Sequence, residues 1–459
     1  MKPLVLRSAL VASLGGLLFG FDTAVISGTT DSLTRVFNLS PAMLGFTVTT
    51  ALIGTIVGAL VAGKPADTYG RKKVLYVIGI LYFISALGSA LTSNLYIFML
   101  ARFVGGLGVG AASVCAPIYT AEISPARVRG RLVGLVQFNI VFGILLAYLS
   151  NYIIRITAPE ESAWRWMFGV EAVPALIFFL LLFTVPETPR WLMANGHEDQ
   201  GQVLARQLTS SEPEARKLID EVQASLADAE NAPNVKFFTP SHRKVIMLAF
   251  FIAMFNQMSG INAILYYAPE VMRRAGAGDS ASFLMSVGVG LMNLVATMAA
   301  LTVIDRVGRR LLMVVGSIGY IISLSFLAGV MFTYAGNYTS TSATLVLLGL
   351  MLFIAAHAFG QGAVIWVFIS EIFPNRIRGR GQSLGSLTHW VFAAVTSFLF
   401  PPIVDALGGG VAFSIFAIFM VGQLIWVIKV MPETKGVPLE EMEQRLGLTH
   451  EAQAGGSVR

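Results

Sequence analysis

Residues 122–131 read Glu-Ile-Ser-Pro-Ala-Arg-Val-Arg-Gly-Arg, and residues 371–380 read Glu-Ile-Phe-Pro-Asn-Arg-Ile-Arg-Gly-Arg. The strings lie 249 residues apart. Two further pairs keep nearly the same step. Asp67-Thr-Tyr-Gly-Arg-Lys-Lys recurs as Asp305-Arg-Val-Gly-Arg-Arg-Leu, 238 residues on, and Pro186-Glu-Thr-Pro recurs as Pro432-Glu-Thr-Lys, 246 on. One such pair can arise by chance. Three in register mean that the chain is two copies of one structural unit.

What separates these strings is apolar. Of 459 residues, 55% are hydrophobic and only 13% are charged, against roughly 25% charged in a soluble domain. A soluble fold cannot hide that much apolar surface, and disordered chains have the opposite composition. The 45 Gly and 18 Pro follow no period, which excludes collagen-like and low-complexity chains. Cys115 is the only cysteine, so there is no intramolecular disulfide framework and no cysteine metal cluster. A polytopic membrane protein remains.

A helix that crosses the hydrocarbon core needs about 20 mostly apolar residues. Twelve stretches qualify, near 8–28, 43–63, 74–93, 95–118, 131–153, 167–185, 245–268, 281–303, 311–333, 344–368, 382–403 and 411–431; they are spans 1–12. They are continuously apolar, whereas β-barrel strands alternate in polarity. Lys2 and Arg7 ahead of the first run have the look of a signal peptide, but the run is long, contains Asp22 and is one of twelve, so it is read as a span. With both termini cytoplasmic, the outer loops hold five of the 32 Lys+Arg: Arg35, Arg155, Arg165, Arg273 and Arg274. Arg102 falls inside a span and the other 26 lie on the cytoplasmic side. This bias sets the orientation. The net charge of +6 is then a topology signal and a contact with the lipid bilayer, not a sign of nucleic acid.

The motif pairs follow spans 2, 4 and 6 of each six-span set. Parallel six-span repeats are built to alternate access to a site at mid-membrane between the halves, which points to a transporter. The expected domains are an N-terminal half at 1–189, a helical linker at 190–243, a C-terminal half at 244–436 and a tail at 437–459. The linker reads equally as a bland connection or as a cytoplasmic helical latch.

The whole chain resembles the sugar porter family of the major facilitator superfamily. The resemblance rests on Gly63-Lys-Pro-Ala-Asp-Thr-Tyr-Gly-Arg-Lys (63–72), Pro-Glu-Thr-Pro-Arg-Trp-Leu (186–192), Asn-Gln-Met-Ser-Gly-Ile-Asn (256–262) with Tyr266 and Tyr267, Asp-Arg-Val-Gly-Arg-Arg (305–310) and Pro-Glu-Thr-Lys-Gly (432–436). The first motif is common across the superfamily; the second and third are specific to sugar porters, and bacterial proton–sugar symporters of the xylose and glucose type look most alike. The loop between spans 1 and 2 is short, unlike the glycosylated loop of many animal glucose transporters. The resemblance implies an all-α membrane protein of twelve transmembrane helices in two six-helix halves, the major facilitator fold, with short cytoplasmic helices between them. It implies proton-coupled uptake of a hexose or pentose by a functional monomer in the cell's inner (plasma) membrane. A facilitative uniporter and a transporter-like sugar sensor are the alternatives.

A sugar needs many directed hydrogen bonds and a flat surface for its C–H face. Amides both donate and accept, and Trp offers a broad ring. Both are costly against lipid, so span amides point inward. By resemblance, Gln137, Gln257, Asn262, Asn293, Trp366 and Trp390 match sugar-binding positions, and Phe19 and Tyr266 match the aromatic lining. Asn256 and His389 complete the set. Gly260, between Gln257 and Asn262, predicts a local unwinding that turns both amides the same way. Three positions depart from the family pattern: Asn256 where Gln is common, Ala363 where Pro follows Gly, and His389 where an amide precedes the span 11 tryptophan. Asn139 is read as a bridge between helices, and Trp426 as an interfacial or packing residue.

Intramembrane charges are functional by default. Asp22 lies in Phe19-Gly-Phe-Asp-Thr-Ala-Val-Ile-Ser-Gly and Arg102 opens the apolar part of span 4. Burial and a nearby cation push a carboxylate's proton affinity in opposite senses, so a site that changes this pairing loads and releases a proton. Both residues match the proton-coupled pattern of the family, with Glu171 as a third member; the proton is the only coupling ion expected, with no cofactor. By resemblance, Asp67, Arg71, Glu122, Arg129, Asp305, Arg309, Glu371 and Arg378 form salt bridges that close the cytoplasmic side. Gly105-Gly-Leu-Gly-Val-Gly110 follows no strand, so helix packing is favoured over a dinucleotide loop. His197 and His242 lack metal spacing, and the sequons at Asn38 and Asn337 are read as chance. No catalytic residues and no metal ligands are apparent.

Overall fold

The computed structural model of the protein describes residues 2–230, 236–374, 376–437, 439–446 and 448. Within them, twelve helical stretches are long and apolar enough to cross a membrane. They are Pro3–Gly28, Pro41–Val61, Arg71–Leu91, Leu95–Ile123, Ala126–Thr157 and Glu160–Thr184, then Arg243–Arg274, Asp279–Val307, Arg309–Thr333, Ser340–Ile372, Arg378–Leu407 and Gly409–Lys429. Each contains most of one expected span. All but span 4 begin before the expected residue, while spans 2, 3, 6 and 12 end one or two residues short of it.

The chain divides into two compact units, Met1–Ala232 and Pro233–Arg459. In the first, span 2 packs on span 4, span 1 on span 5, and span 3 on spans 4 and 6. In the second, span 8 packs on span 10, span 7 on span 11, and span 9 on spans 10 and 12. The pattern is the same after a shift of six spans, which is the structural counterpart of the repeated motifs.

Local chemistry sets the helix ends. Asn94 starts span 4 by accepting from the backbone N–H groups of Tyr96 and Ile97, and Ser40 caps span 2 with Pro41 at its first position. Side-chain caps of this kind satisfy N–H groups that have no partner inside the helix. Both sequons thereby find a structural explanation. Asn38 takes the left-handed conformation (φ 50°) that ends Thr30–Phe37, with Ser40 as the next cap, and Thr339 forms a reciprocal capping box with Ser342 at the start of span 10. Gly70 and Gly308, with φ of 108° and 101°, turn the chain just before spans 3 and 9. An L side chain would be strained at either.

The glycine run in span 4 is a packing surface. A Cβ on Gly106 would strike the carbonyl of Ala51, and one on Gly110 would strike that of Thr55, both on span 2. After span 6, Pro189–Ala194, Glu198–Leu208 and Glu212–Glu230 form a small helical group. It closes over Met193, Ala205, Ile219 and Val222. Lys2 Nζ donates to the Arg206 carbonyl at 2.8 Å, so this group is tied to span 1.

Three spans are broken, and each break carries site residues. Span 6 is interrupted at Val170–Glu171, between helices Glu160–Gly169 and Ala172–Leu181. Pro174 removes the N–H that would have bonded back across the break. Span 7 breaks at Ser259–Gly260 between Arg243–Met258 and Ile261–Arg274, with Gly260 at φ 84°. Span 10 carries a π-helical turn over Ala358–Gly362. That turn precedes Ala363, so span 10 stays irregular there without the proline common in the family.

Candidate functional site

In the first unit, the two intramembrane charges meet. Arg102 Nη1 lies 2.6 Å from Asp22 Oδ1 and Nη2 lies 3.1 Å from Oδ2. Nη2 also donates to the Asp22 carbonyl at 3.2 Å. The side chains are 3% and 2% exposed, and the Phe168 ring centre stands 5.2 Å from the Arg102 guanidinium carbon. A bidentate, charge-assisted pair is the strong form of this contact. It offsets a large desolvation cost only while both partners remain charged and in place. Glu171 is fully buried at the span 6 break, within electrostatic reach of both residues. Its two carboxylate oxygens have no hydrogen-bond partner. Such a cluster can hold its charges in more than one arrangement.

In the second unit, spans 7, 10 and 11 bring together Asn256, Gln257, Trp366, His389 and Trp390. Gln257 Nε2 donates to Asn256 Oδ1 at 2.9 Å and stands 3.2 Å from His389 Nε2. The His389 ring centre is 5.3 Å from that of Trp366 and 4.8 Å from that of Trp390. Gln257 Oε1 is buried with no partner. The break at Gly260 separates this group from Asn262 and Tyr266, both buried on the next segment. Asn293 of span 8 accepts from Thr297 Oγ1 at 3.4 Å. The arrangement joins two amides to a histidine whose ring lies between two indoles. Phe19 and Gln137 lie half-buried in the first unit. Asn139 donates to Ser13 Oγ at 2.6 Å, linking spans 5 and 1, and Trp426 packs against Phe251 and Phe255.

The amide row has a support that sequence reasoning missed. Asn256 Nδ2 donates to Gln361 Oε1 at 3.4 Å, Gln361 Nε2 to Gln423 Oε1 at 2.8 Å, and Gln423 Nε2 to Ser317 Oγ at 2.8 Å. Gln361 sits in the π-helical turn of span 10. Gln361 and Gln423 are fully buried. Two glutamines within apolar runs were the available signal, but they fall outside every quoted motif.

The motif charges form one construction in each unit. In the first, Arg71 Nη2 stands 2.9 Å from Asp67 Oδ1 and Nε 3.0 Å from Glu122 Oε2. In the second, Arg309 Nη2 stands 3.1 Å from Asp305 Oδ1 and 2.8 Å from Glu371 Oε1. Thr188 donates to Glu122 and Thr434 to Glu371, each at 2.6 Å. Glu187 accepts from the backbone N–H of Lys72, and Glu433 from those of Arg309 and Arg310, each at 3.0 Å. These carboxylates cap the helices that follow Gly70 and Gly308. The Pro-Glu-Thr repeat was the sequence signal for these four residues.

The two caps titrate differently. Burial raises the Glu187 carboxyl above its ordinary value despite opposing backbone N–H bonds. Burial also acts on Glu433, but N–H bonds from Lys435, Arg309, Arg310 and Thr434 outweigh it and lower its value. Arg129 and Arg378 differ from the expected salt-bridge pattern. Arg129 Nε donates to the Ala121 carbonyl at 3.1 Å, and Arg378 Nε and Nη2 are buried without a partner. Neither makes an ion pair among the described residues.

Two repeated six-span units, an ion pair sealed within one and an amide–indole row within the other define a membrane transporter of the major facilitator fold. Residues 8–446 match the family described as "Sugar (and other) transporter". The chain belongs to this sugar transporter family. It is 38% identical over 471 residues to the D-xylose-proton symporter of Escherichia coli, covering 95% of this chain and 94% of that one. It is 34% identical to the arabinose-proton symporter of Bacillus subtilis (96% and 94% covered) and 36% identical to the glucose transporter GlcP of Staphylococcus epidermidis (95% and 96%). It is similar in structure to the inward open conformation of the xylose transporter XylE from E. coli, with a TM-score of 0.85, 36% identity, and 96% and 99% of the two chains covered.

Proposed function

We propose that this protein carries a monosaccharide, a hexose or pentose, into the cell together with a proton by alternating access. The observation that carries the proposal is the Asp22–Arg102 pair, almost fully buried inside membrane-spanning helices. A charge pair kept at that cost is a functional device by default. The relatives support the cargo, since those named above are a xylose-proton symporter, an arabinose-proton symporter and a glucose transporter.

In this reading Asp22 binds the proton, Arg102 modulates its affinity and Glu171 assists. Gln137, Asn256, Gln257, Asn262, Asn293 and His389 hydrogen-bond the sugar, while Phe19, Tyr266, Trp366 and Trp390 pack on its C–H face. Asp67, Arg71, Glu122, Asp305, Arg309 and Glu371 are the cytoplasmic gate, with Arg129 and Arg378 as flanking cations. Residues 1–189 and 244–436 act as halves, 190–243 as the cytoplasmic linker and 437–459 as the tail. Both termini face the cytoplasm from the plasma membrane, and the monomer is the working unit.

The test is uptake by purified protein in proteoliposomes across pentoses, hexoses and polyols, with and without a pH gradient. Saturable uptake of one sugar, accumulated only with the gradient, is expected. Saturable uptake that never exceeds equilibration would establish a uniporter, and absence of saturable uptake would end the proposal.

A further inference from the structure

Span 3 carries three buried hydroxyls that nothing in the charge site uses. Tyr82, Ser85 and Ser89 recur at the three- and four-residue spacing that puts them on one helix face. Their exposures are 0%, 1% and 0%, and none of the three oxygens has a hydrogen-bond partner. Among the described residues, three other buried hydroxyls, those of Ser8, Thr30 and Ser397, share this lack of a partner. Thr23, Thr47, Thr50 and Thr120 all donate back to their own helix carbonyls, the ordinary way for a hydroxyl in a span to be satisfied. Ser85 and Ser89 do not.

The face looks onto the buried charges. A Cβ placed on Gly105 would have Ser85 Oγ at 2.3 Å and Asp22 Oδ1 at 3.3 Å, so hydroxyl and carboxylate flank one glycine. Tyr82 feels the charges of both Asp22 and Glu171. Span 3 packs on spans 1, 4 and 6, which present Asp22, Arg102 and Glu171 respectively. The two orphan oxygens of Glu171 join the three hydroxyls. Five unpartnered oxygens lining one buried strip need partners that the protein does not supply, and buried water is the usual one, held by two to four polar groups. Ser89 lies two residues from the end of span 3 at Leu91.

We propose that Tyr82, Ser85, Ser89 and Glu171 hold a file of water molecules that carries protons between the outer end of span 3 and the Asp22–Arg102 pair. The assignment of the outer end rests on the proposed orientation and function. A proton entering at Ser89 passes by exchange. Each oxygen that gains an O–H bond releases another proton onward, until the Asp22 carboxylate binds one and loosens its pair with Arg102. Nothing is oxidised or reduced. Gly105 leaves room for the Ser85 hydroxyl to sit beside Asp22.

The experiment compares proton-driven accumulation of D-xylose, D-glucose and L-arabinose with equilibrium counterflow of the same sugars, in proteoliposomes of wild type, Tyr82→Phe and Ser85→Ala/Ser89→Ala. Counterflow exchanges sugar without net proton movement. The variants are expected to slow accumulation about tenfold, the effect of losing one or two hydrogen-bonded links, and to leave counterflow within twofold of wild type. Accumulation within twofold of wild type would overturn the water file, and so would an equal loss of both activities, which marks a structural strip. Wild type inactive in both assays would overturn the proposed function itself.

Discussion

Replacing Asp22 by Asn removes one charge from a pair buried inside membrane-spanning helices. The pair is held by contacts of 2.6 and 3.1 Å and its side chains are 2–3% exposed. Asn keeps an acceptor for Arg102 Nη1 and keeps the carbonyl that accepts from Nη2, but it leaves the guanidinium without its ion-pair partner, with Glu171 as the remaining carboxylate in electrostatic reach. Breaking one side of a buried pair costs about 3–5 kcal/mol, and the retained acceptors place Asp22→Asn near about 3 kcal/mol. Neutralising both partners in Asp22→Asn/Arg102→Met should restore most of that stability, because the unpaired guanidinium is then gone. Function behaves differently. With one proton per sugar, a gradient of one pH unit supplies about 1.4 kcal/mol and supports about tenfold accumulation. Asp22→Asn has no carboxylate to load, so accumulation falls to simple equilibration while counterflow persists. The assay is radiolabelled sugar uptake into proteoliposomes with an imposed pH gradient, run beside thermal unfolding of the same protein in detergent. Accumulation by Asp22→Asn at the wild-type level would refute the reasoning. A single variant as stable as wild type would show that the Arg102 charge does not depend on Asp22 for its compensation.

Gln423→Leu should leave Gln361 Nε2 with only the Ile252 carbonyl, at 3.3 Å; the slackened amide row raises the half-saturation for sugar about tenfold, from a hydrogen-bond loss of about 1–3 kcal/mol, with maximal rate little changed in uptake kinetics. Gly106→Ala pushes a methyl into the Ala51 carbonyl and should cost about 1–3 kcal/mol by thermal unfolding, whereas Gly134→Ala, with open space at its Cβ, should be neutral or stabilising by up to about 1 kcal/mol. The capping carboxylates should show opposite pH signs. Glu433 is held below the ordinary 4.5, so its contribution is full above that value and fades as pH falls through its lower folded value; Glu187 is raised above 4.5, so stability tied to its proton is present in acid and lost as pH rises. At pH 7, Glu433→Gln should therefore lower the unfolding temperature more than Glu187→Gln.

Much of the structure was legible because membrane solvation is severe. Every backbone polar group in the hydrocarbon must be bonded within its own helix, so apolar length alone located twelve spans, and the motif pairs divided them six and six. Asp22 and Arg102 stood out because charge within a span is rare. Gly260 marked the break in span 7, since only glycine accepts that conformation cheaply. Other features left weaker traces. Glu187 and Thr188 were quoted as part of a repeat, but that they cap span 3 and bond Glu122 depends on which loop folds back on which helix end. Arg129 and Arg378 carry the same repeat signal as Arg71 and Arg309, yet the first reaches a carbonyl and the second has no partner on its buried nitrogens. Spacing cannot tell these apart, because the direction of a long side chain is set by its neighbours.

Span number, duplication and the short roster of costly residues were determined by the sequence alone, because each follows from a local transfer cost or from a repeat read along the chain. Which of those residues meet was decided only by tertiary structure. Asp22 finds Arg102 eighty residues away, Gln257 finds His389 across 132 residues, and the Gln361–Gln423 support fits no motif. The Tyr82, Ser85 and Ser89 face acquires meaning only once packing has sealed it beside two carboxylates. Such contacts depend on close helix approach, fixed by the shapes of whole surfaces such as the Gly106–Ala51 crossing, and no local pattern encodes them.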